Sequence, residues 1–203
     1  MLEGIATVVL GYFIGSIPFG YIAGRLRGVD LRQYGSGKLG ATNVLRTLGT
    51  RTAMVVFLAD ILKGVGAAYL GHYLMGGMPG ALAGGLAGML GHNWPLYLRF
   101  QGGRGVLVLL GSFFVLDWRI ALAAGLFGLL VIAIFRYASL GSLLGVALGV
   151  VLGLLLWALN GPAEPFIFAL AGGSVVLFQH RDNVYRLLSG TERKLGQKAE
   201  KRE

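Results

Sequence analysis

The chain has no cysteine and few prolines, and only 13% of its 203 residues are charged. Without cysteine there is no disulfide, no thiolate metal site and no cysteine thioester. Its nine acidic residues form no H-E-x-x-H pattern and no acidic cluster, so magnesium has no convincing home. Neither a metal nor a cofactor is expected. What is abundant is apolar: 55% of residues are hydrophobic and the mean hydropathy is +0.70, which identifies an integral membrane protein. The length suits one compact helical bundle and is too short for a second domain. The 35 glycines follow no G-X-Y period and indicate closely approaching membrane helices.

Apolar runs at 4–24, 52–75, 79–98, 105–116, 119–135, 139–159 and 165–179 predict an all-α fold of about seven transmembrane helices. The fourth and seventh are short for a span of roughly 20 residues. The only early charge is Glu3, so the N-terminus reads as a first span, not as a cleaved signal. With seven spans, Arg25, Arg27, Arg32, Lys38, Arg46, Arg51, Arg99, Arg104, Arg136 and the basic tail share one side, and Arg119 stands alone on the other. The positive-inside rule then puts the N-terminus outside and the C-terminus in the cytoplasm. The net charge of +9 is therefore a topology signal and no indication of nucleic-acid binding. Residues 1–190 read as a single transmembrane domain. Residues 191–203 read as a mixed-charge cytoplasmic tail, solvated or touching headgroups, with no part in chemistry.

Two glycine-rich loops carry the strongest functional signal. Gly35 to Asn43 reads G-S-G-K-L-G-A-T-N, with Thr42, Asn43 and Arg46 close behind, and combines backbone donors, hydroxyls and a cation. It is not a Walker A motif, because Lys38 precedes the second spacing glycine. Gln101-Gly102-Gly103-Arg104-Gly105 leads into the fourth run in the same manner. Flexible or tight turns are the competing explanation for each. Asp60 and Lys63 lie three residues apart inside the second run and can neutralise each other on one helix face, in either a functional or a packing role. If helix continues past Gln179, His180, Asn183 and Arg186 share a face, offering a histidine, an amide and a cation; a basic stop-transfer cluster competes. Ser139 and Ser142 are weaker candidates, since serines often pack membrane helices. His92 and Asn93 end the third run, either facing the site or packing beside Trp94 and Pro95, which read as interfacial anchors, and His72 reads as interfacial too.

G-S-I-P-F-G at 15–20, G-S-G-K-L-G-A-T-N-V-L-R at 35–46, D-I-L-K-G at 60–64, G-H-N-W-P at 91–95, Q-G-G-R-G-V at 101–106 and H-R-D-N-V-Y-R-L-L-S-G at 180–190 together resemble the bacterial acyl-phosphate-dependent glycerol-3-phosphate acyltransferases, almost end to end. The resemblance implies a seven-span enzyme of the bacterial cytoplasmic membrane with its active site facing the cytoplasm. It also implies acyl transfer from acyl phosphate to the 1-hydroxyl of sn-glycerol 3-phosphate, giving lysophosphatidic acid and phosphate. Partners would be these two substrates and the lipid bilayer, with no nucleic acid. On this resemblance Ser36, Gly37, Lys38, Gly40, Thr42 and Asn43 are expected at the donor phosphate. Arg46, Arg104, Ser139, Ser142, His180 and Asn183 are expected at the acceptor, and Ser36, Arg46, His180 and Asn183 in catalysis. Asp60, Lys63, Gly102, Gly103, Gly105 and Arg186 are expected in support. His180 is either a general base or only a ligand, with a substrate phosphate oxygen as the alternative proton acceptor. The chain departs from the usual G-G-K-G-V-A-T in having Arg104 for lysine and Val108 for threonine. A small transporter of a phosphorylated metabolite or lipid is the competing class.

Overall fold

The computed structural model describes residues 1–201. Its helices in chain order are α1 (Leu2–Ser16), α2 (Phe19–Arg25), α3 (Ala41–Leu48), α4 (Thr50–Met75), α5 (Met78–Asn93), α6 (Val106–Leu116), α7 (Trp118–Phe135), α8 (Ala138–Ala158), α9 (Glu164–Gln179) and α10 (Arg181–Leu188). Among the described residues there is no strand, only an isolated antiparallel bridge between Tyr34 and Lys201. Among the described residues four segments are long and apolar enough to cross a membrane: Leu2–Arg25, Thr50–Met75, Trp118–Phe135 and Ala138–Ala158. Helices α6 and α9 are apolar but shorter.

Local chemistry explains where the runs start and break. The first run is interrupted before Pro18, because a residue preceding proline is pushed out of the α region; Ile17 is extended at ψ 114°. Its carbonyl accepts from Lys63 Nζ at 2.8 Å, so the break within α1–α2 is satisfied from α4. Helix α7 starts on Asp117, whose carboxylate accepts the Arg119 and Ile120 N–H groups at 2.9 and 3.2 Å. Helices α5 and α9 each carry a proline in the first turn, where its missing N–H costs nothing.

Helix α4 is central and packs on α1, α5 and α6; α7 pairs with α8, and α9 rests on α8 and α5. The main core joins Met89, Val108, Phe113, Leu116, Phe168 and Val176, with Phe113 and Phe168 edge to face at 5.0 Å. A second apolar cluster of Leu31, Leu39, Val44, Val56 and Leu98 lies beneath the loops and seats the first of them on α3 and α4. Facing outward are aliphatic side chains such as Leu58 and Leu62 on α4 and Leu126, Leu130 and Ile134 on α7, a surface suited to lipid. His72 is exposed near the end of α4 and stacks on Tyr69.

The expected solvated tail is instead tied across the loop end of the bundle. Leu195 N–H donates to the Arg136 carbonyl at 2.6 Å, Ala199 N–H to that of Arg46 at 3.2 Å, and Gly35 N–H to that of Glu200 at 2.9 Å. Backbone bonds of this kind need no side-chain pattern, so a mixed run of Lys, Arg and Glu gives no sign of them.

Candidate active site

A cavity of about 230 Å³ opens where the first loop and α3 meet α4, the α6–α8 group and the α9–α10 junction. At its polar end stand Ser36, Lys38, Thr42, Arg46, Arg104, Ser139, Ser142, His180, Asn183 and Arg186, so both glycine loops and the C-terminal motif converge as expected. Gly40, Asn43, Asp60 and Gly105 also line it. Gly37, Lys63, Gly102 and Gly103 do not; the last three face a smaller cleft behind it.

In the first loop the expected cradle is corrected. Gly37 N–H donates to the Tyr34 carbonyl at 2.9 Å, Leu39 N–H to that of Gly102 at 3.4 Å, and Ser36 N–H to Asn43 Oδ1 at 3.3 Å. These donors are spent on the loop's own fold. Gly37, at φ +68°, is there for the turn and does not touch the cavity. Asn43 is likewise not free for a phosphate: its Nδ2 donates to the carbonyls of Leu31, Tyr34 and Lys38 at 3.2, 3.1 and 2.9 Å. It is the hub that shapes the loop. The N–H groups that remain unused among the described residues are those of Gly40, Ala41 and Thr42, at the N-terminus of α3 and on the cavity wall, where the helix dipole favours an anion.

The second loop is held by α5. Gly103 N–H donates to the His92 carbonyl at 3.0 Å, and any side chain at Gly103 would collide with the His92 ring. His92 Nδ1 in turn lies 3.7 Å from Asp60 Oδ1, and Lys63 Nζ 2.8 Å from the same oxygen. His92 thus stands between the loop and Asp60 of the central helix. This arrangement presents Arg104 to the cavity. Arg46 and Arg104 each have a buried Nε without a hydrogen-bond partner. Burial lowers the pKa of both guanidiniums, that of Arg104 to about 10 with Arg186 as the next cause, so Arg104 stays charged at neutral pH.

At the C-terminal motif the helix does not run through. It ends at Gln179 and restarts at Arg181, with His180 as the joint. His180, Asn183 and Arg186 nonetheless reach one cavity. His180 Nδ1 lies 2.8 Å from the Val176 carbonyl, which can only accept, so the proton sits on Nδ1 and the Nε2 lone pair is left for a ligand. Burial, followed by the charge of Arg104, lowers this imidazole to about 4.

Glu192, absent from the expected site, organises this end. One carboxylate oxygen accepts from Ser139 Oγ at 2.8 Å and from Asn183 Nδ2 at 2.7 Å, and the other from Arg186 Nε at 2.8 Å. Burial raises its pKa, but these hydrogen bonds outweigh it and hold the carboxyl below its ordinary value. Ser139 therefore spends its proton on Glu192, and Ser142 donates back to the Ala138 carbonyl at 2.8 Å. Asn183 keeps a buried Oδ1 with no partner. A lone acid in a basic tail, 53 residues from Ser139, carries no local spacing that would reveal it.

A family model described as glycerol-3-phosphate acyltransferase matches residues 5–190. The glycerol-3-phosphate acyltransferase of Thermoanaerobacter sp. (strain X514) is 45% identical over 200 residues, covering 98% of this chain and 99% of that one. The crystal structure of PlsY (YgiH), an integral membrane glycerol 3-phosphate acyltransferase, in its glycerol 3-phosphate form, superposes with a TM-score of 0.87 at 36% identity, over 95% of this chain and 96% of that chain. Its lysophosphatidic acid form gives a TM-score of 0.84 at 35% identity, over 96% of each. The chain belongs to the glycerol-3-phosphate acyltransferase family and is an acyltransferase, not a small transporter.

Proposed function

We propose that this protein moves a fatty acyl group from acyl phosphate to the 1-hydroxyl of sn-glycerol 3-phosphate, giving lysophosphatidic acid and inorganic phosphate. The observation that carries the reading is the shape of one cavity: two half-buried arginines at its polar end, and an apolar limb running on between α6, α7 and α8. Two phosphates and one acyl chain match it. The related PlsY has forms with glycerol 3-phosphate and with lysophosphatidic acid, an acceptor and a product of this reaction.

The donor phosphate is assigned to the start of α3, meeting the N–H groups of Gly40, Ala41 and Thr42 together with Ser36 and Lys38. Arg46 and Arg104 take the acceptor phosphate, with Asn183 Oδ1 free to receive a glycerol hydroxyl. The 1-hydroxyl oxygen attacks the acyl carbonyl carbon. The bond from that carbon to the phosphate oxygen breaks, and phosphate departs with the hydroxyl proton. An imidazole at about 4 is a weaker base than a phosphate with a second pKa of about 6. His180 Nε2 therefore aligns the hydroxyl by accepting its hydrogen bond, and the departing phosphate, whose basicity rises as its acyl bond breaks, takes the proton. Most of the acceleration then comes from positioning and fixed charge.

Residues 1–190 form the catalytic unit, which Glu192 of the tail completes. Together with the distribution of basic residues, the shorter α5, α6 and α9 as additional crossings support seven spans, the N-terminus outside and the site facing the cytoplasm across a bacterial inner membrane. The test is phosphate release from acyl phosphate by the purified protein in detergent, with and without glycerol 3-phosphate. Release that depends on glycerol 3-phosphate and matches the lysophosphatidic acid formed is the expected result. Release independent of the acceptor would reject the reading.

A further inference from the structure

The apolar limb of the cavity has a floor. Along α8 its lining residues run from Ser139, bonded to Glu192, to Gly149. Ten residues of α-helix rise about 15 Å, roughly the extended length of a dozen chain carbons. At Gly149 three apolar side chains from α6 and α7 converge: a Cβ there would lie 3.8 Å from Ala124 Cβ, 3.9 Å from Phe113 Cε2 and 4.0 Å from Ile120 Cγ2. The situation differs at Gly141, where a Cβ would strike the Gly128 carbonyl oxygen and Ile132 across the α7–α8 contact. Gly141 is glycine because two backbones touch. Gly149 is not, since a methyl fits there in ordinary van der Waals contact, while a longer side chain must project into the space before Phe113.

The polar end marks this space as ligand space, not a packing defect. The cavity is continuous from Gly149 to the buried, unpartnered Asn183 Oδ1 and Arg104 Nε, so whatever those polar atoms hold can extend its tail along the limb. We propose that Gly149, with Phe113 and Ala124 facing it, forms the floor that sets which acyl-chain lengths the enzyme prefers. This rests on the assignment of acyl phosphate as donor. Carbons up to about the twelfth lie against the limb; those beyond meet the floor and must bend away from it, so longer chains fit less well.

The test is a competition. Full-length protein in detergent receives glycerol 3-phosphate and an equimolar mixture of acyl phosphates of different length, from ten to sixteen carbons, and the lysophosphatidic acids are resolved by mass. Product ratios do not depend on how much enzyme is active, so a partly folded variant still reports. Since a methylene misfitted in an apolar pocket changes selectivity by about tenfold or more, Gly149→Leu should lower the ratio of sixteen- to ten-carbon product at least tenfold. Gly149→Ala should move it a few-fold in the same direction, and the Michaelis constant for glycerol 3-phosphate should stay put in both. Should Gly149→Leu give no product, Gly149→Ala decides alone. Ratios equal to wild type in the variants that make product would overturn the floor while leaving the donor assignment intact. A wild-type protein that makes no lysophosphatidic acid from any chain length would overturn the donor assignment itself.

Discussion

Asp60–Lys63 and Glu192–Arg186 are both carboxylate–cation pairs at 2.8 Å, yet they are satisfied differently. The first lies on one helix inside a span, with side chains only 2–3% exposed; Lys63 also donates to Ile17, and no hydrogen bond of good angle reaches either Asp60 oxygen. The second lies at the loop end, where the carboxylate accepts from a serine, an amide and a guanidinium that is 27% exposed. Depth decides what each pair does. A charge pair within a membrane chiefly cancels its own burial, and here it also closes the break before Pro18. A buried carboxylate at the loop end with three donors sets directions, and it orients Ser139, Asn183 and Arg186 about the cavity.

The largest effect tests the first pair. Lys63→Met leaves Asp60 buried and unpaired and frees the Ile17 carbonyl, which should cost about 3–5 kcal/mol and appear as a greatly lowered melting temperature in detergent. The double variant Asp60→Asn, Lys63→Met should recover more than half of that loss. A single variant melting within a degree or two of wild type would mean that the pair does not hold the break.

Glu192→Gln should shift the balance: a modest fall in melting temperature and a large change in turnover. Hydrogen bonds to a charged group are worth about 1.5–3 kcal/mol, so a fall in turnover of about tenfold to a hundredfold is expected as Asn183 and Arg186 lose their place. The pH dependence has a definite sign. The folded Glu192 pKa is below its ordinary value of 4.5, so the stabilisation is full above that value and is lost as pH falls through the depressed folded value. Wild type should show this acid loss below pH 4.5, and Glu192→Gln should lack it. Equal acid sensitivity in the two proteins would assign the loss to another group.

His180 offers a smaller effect with a clear shape. With its imidazole at about 4, the ring is neutral across the range of about pH 5–8. His180→Asn should reduce turnover by about tenfold through lost alignment, less than the 10²–10⁴-fold ascribed to a general base, and leave the profile in that range unchanged. A wild-type limb near 6.5 that disappears in the variant would restore the base role.

What sequence reveals about this molecule follows the range of the interactions involved. Apolar runs locate α4, α7 and α8 nearly to the residue, since lipid demands long uninterrupted helices. The run at 4–24 reads as one span, and neither the break before Pro18 nor Lys63 answering it is announced there. The two glycine loops and the pair His180 and Asn183 do meet in one cavity. Within the first loop the division of labour is hidden: nothing local separates Gly37 and Asn43, whose bonds are spent on the turn, from Gly40 and Thr42, whose N–H groups are left for the cavity. Glu192 is hidden more deeply. Its role exists only once α8, α10 and the tail are packed together, and tertiary contacts of that kind leave no periodicity to read.

The finest distinction separates two serines three residues apart on α8. Both line the cavity, and sequence treats them alike, but their protons go to different acceptors. Ser139 donates to the buried Glu192 at 2.8 Å, and Ser142 to the carbonyl of its own helix one turn back, also at 2.8 Å. A hydrogen bond to a charged group is worth about 1.5–3 kcal/mol, but Asn183 and Arg186 still hold Glu192 when Ser139 is lost, so Ser139→Ala should lower turnover only about two- to tenfold. Back-bonding to the i−4 carbonyl contributes nothing to the site and slightly disfavours the helix, so Ser142→Ala should stay within about twofold of wild type. Steady-state kinetics with glycerol 3-phosphate varied would check both. A marked rise in the acceptor's Michaelis constant for Ser142→Ala, with Ser139→Ala unaffected, would show that the Ser142 hydroxyl turns from its helix to the substrate and that Glu192 does not depend on Ser139.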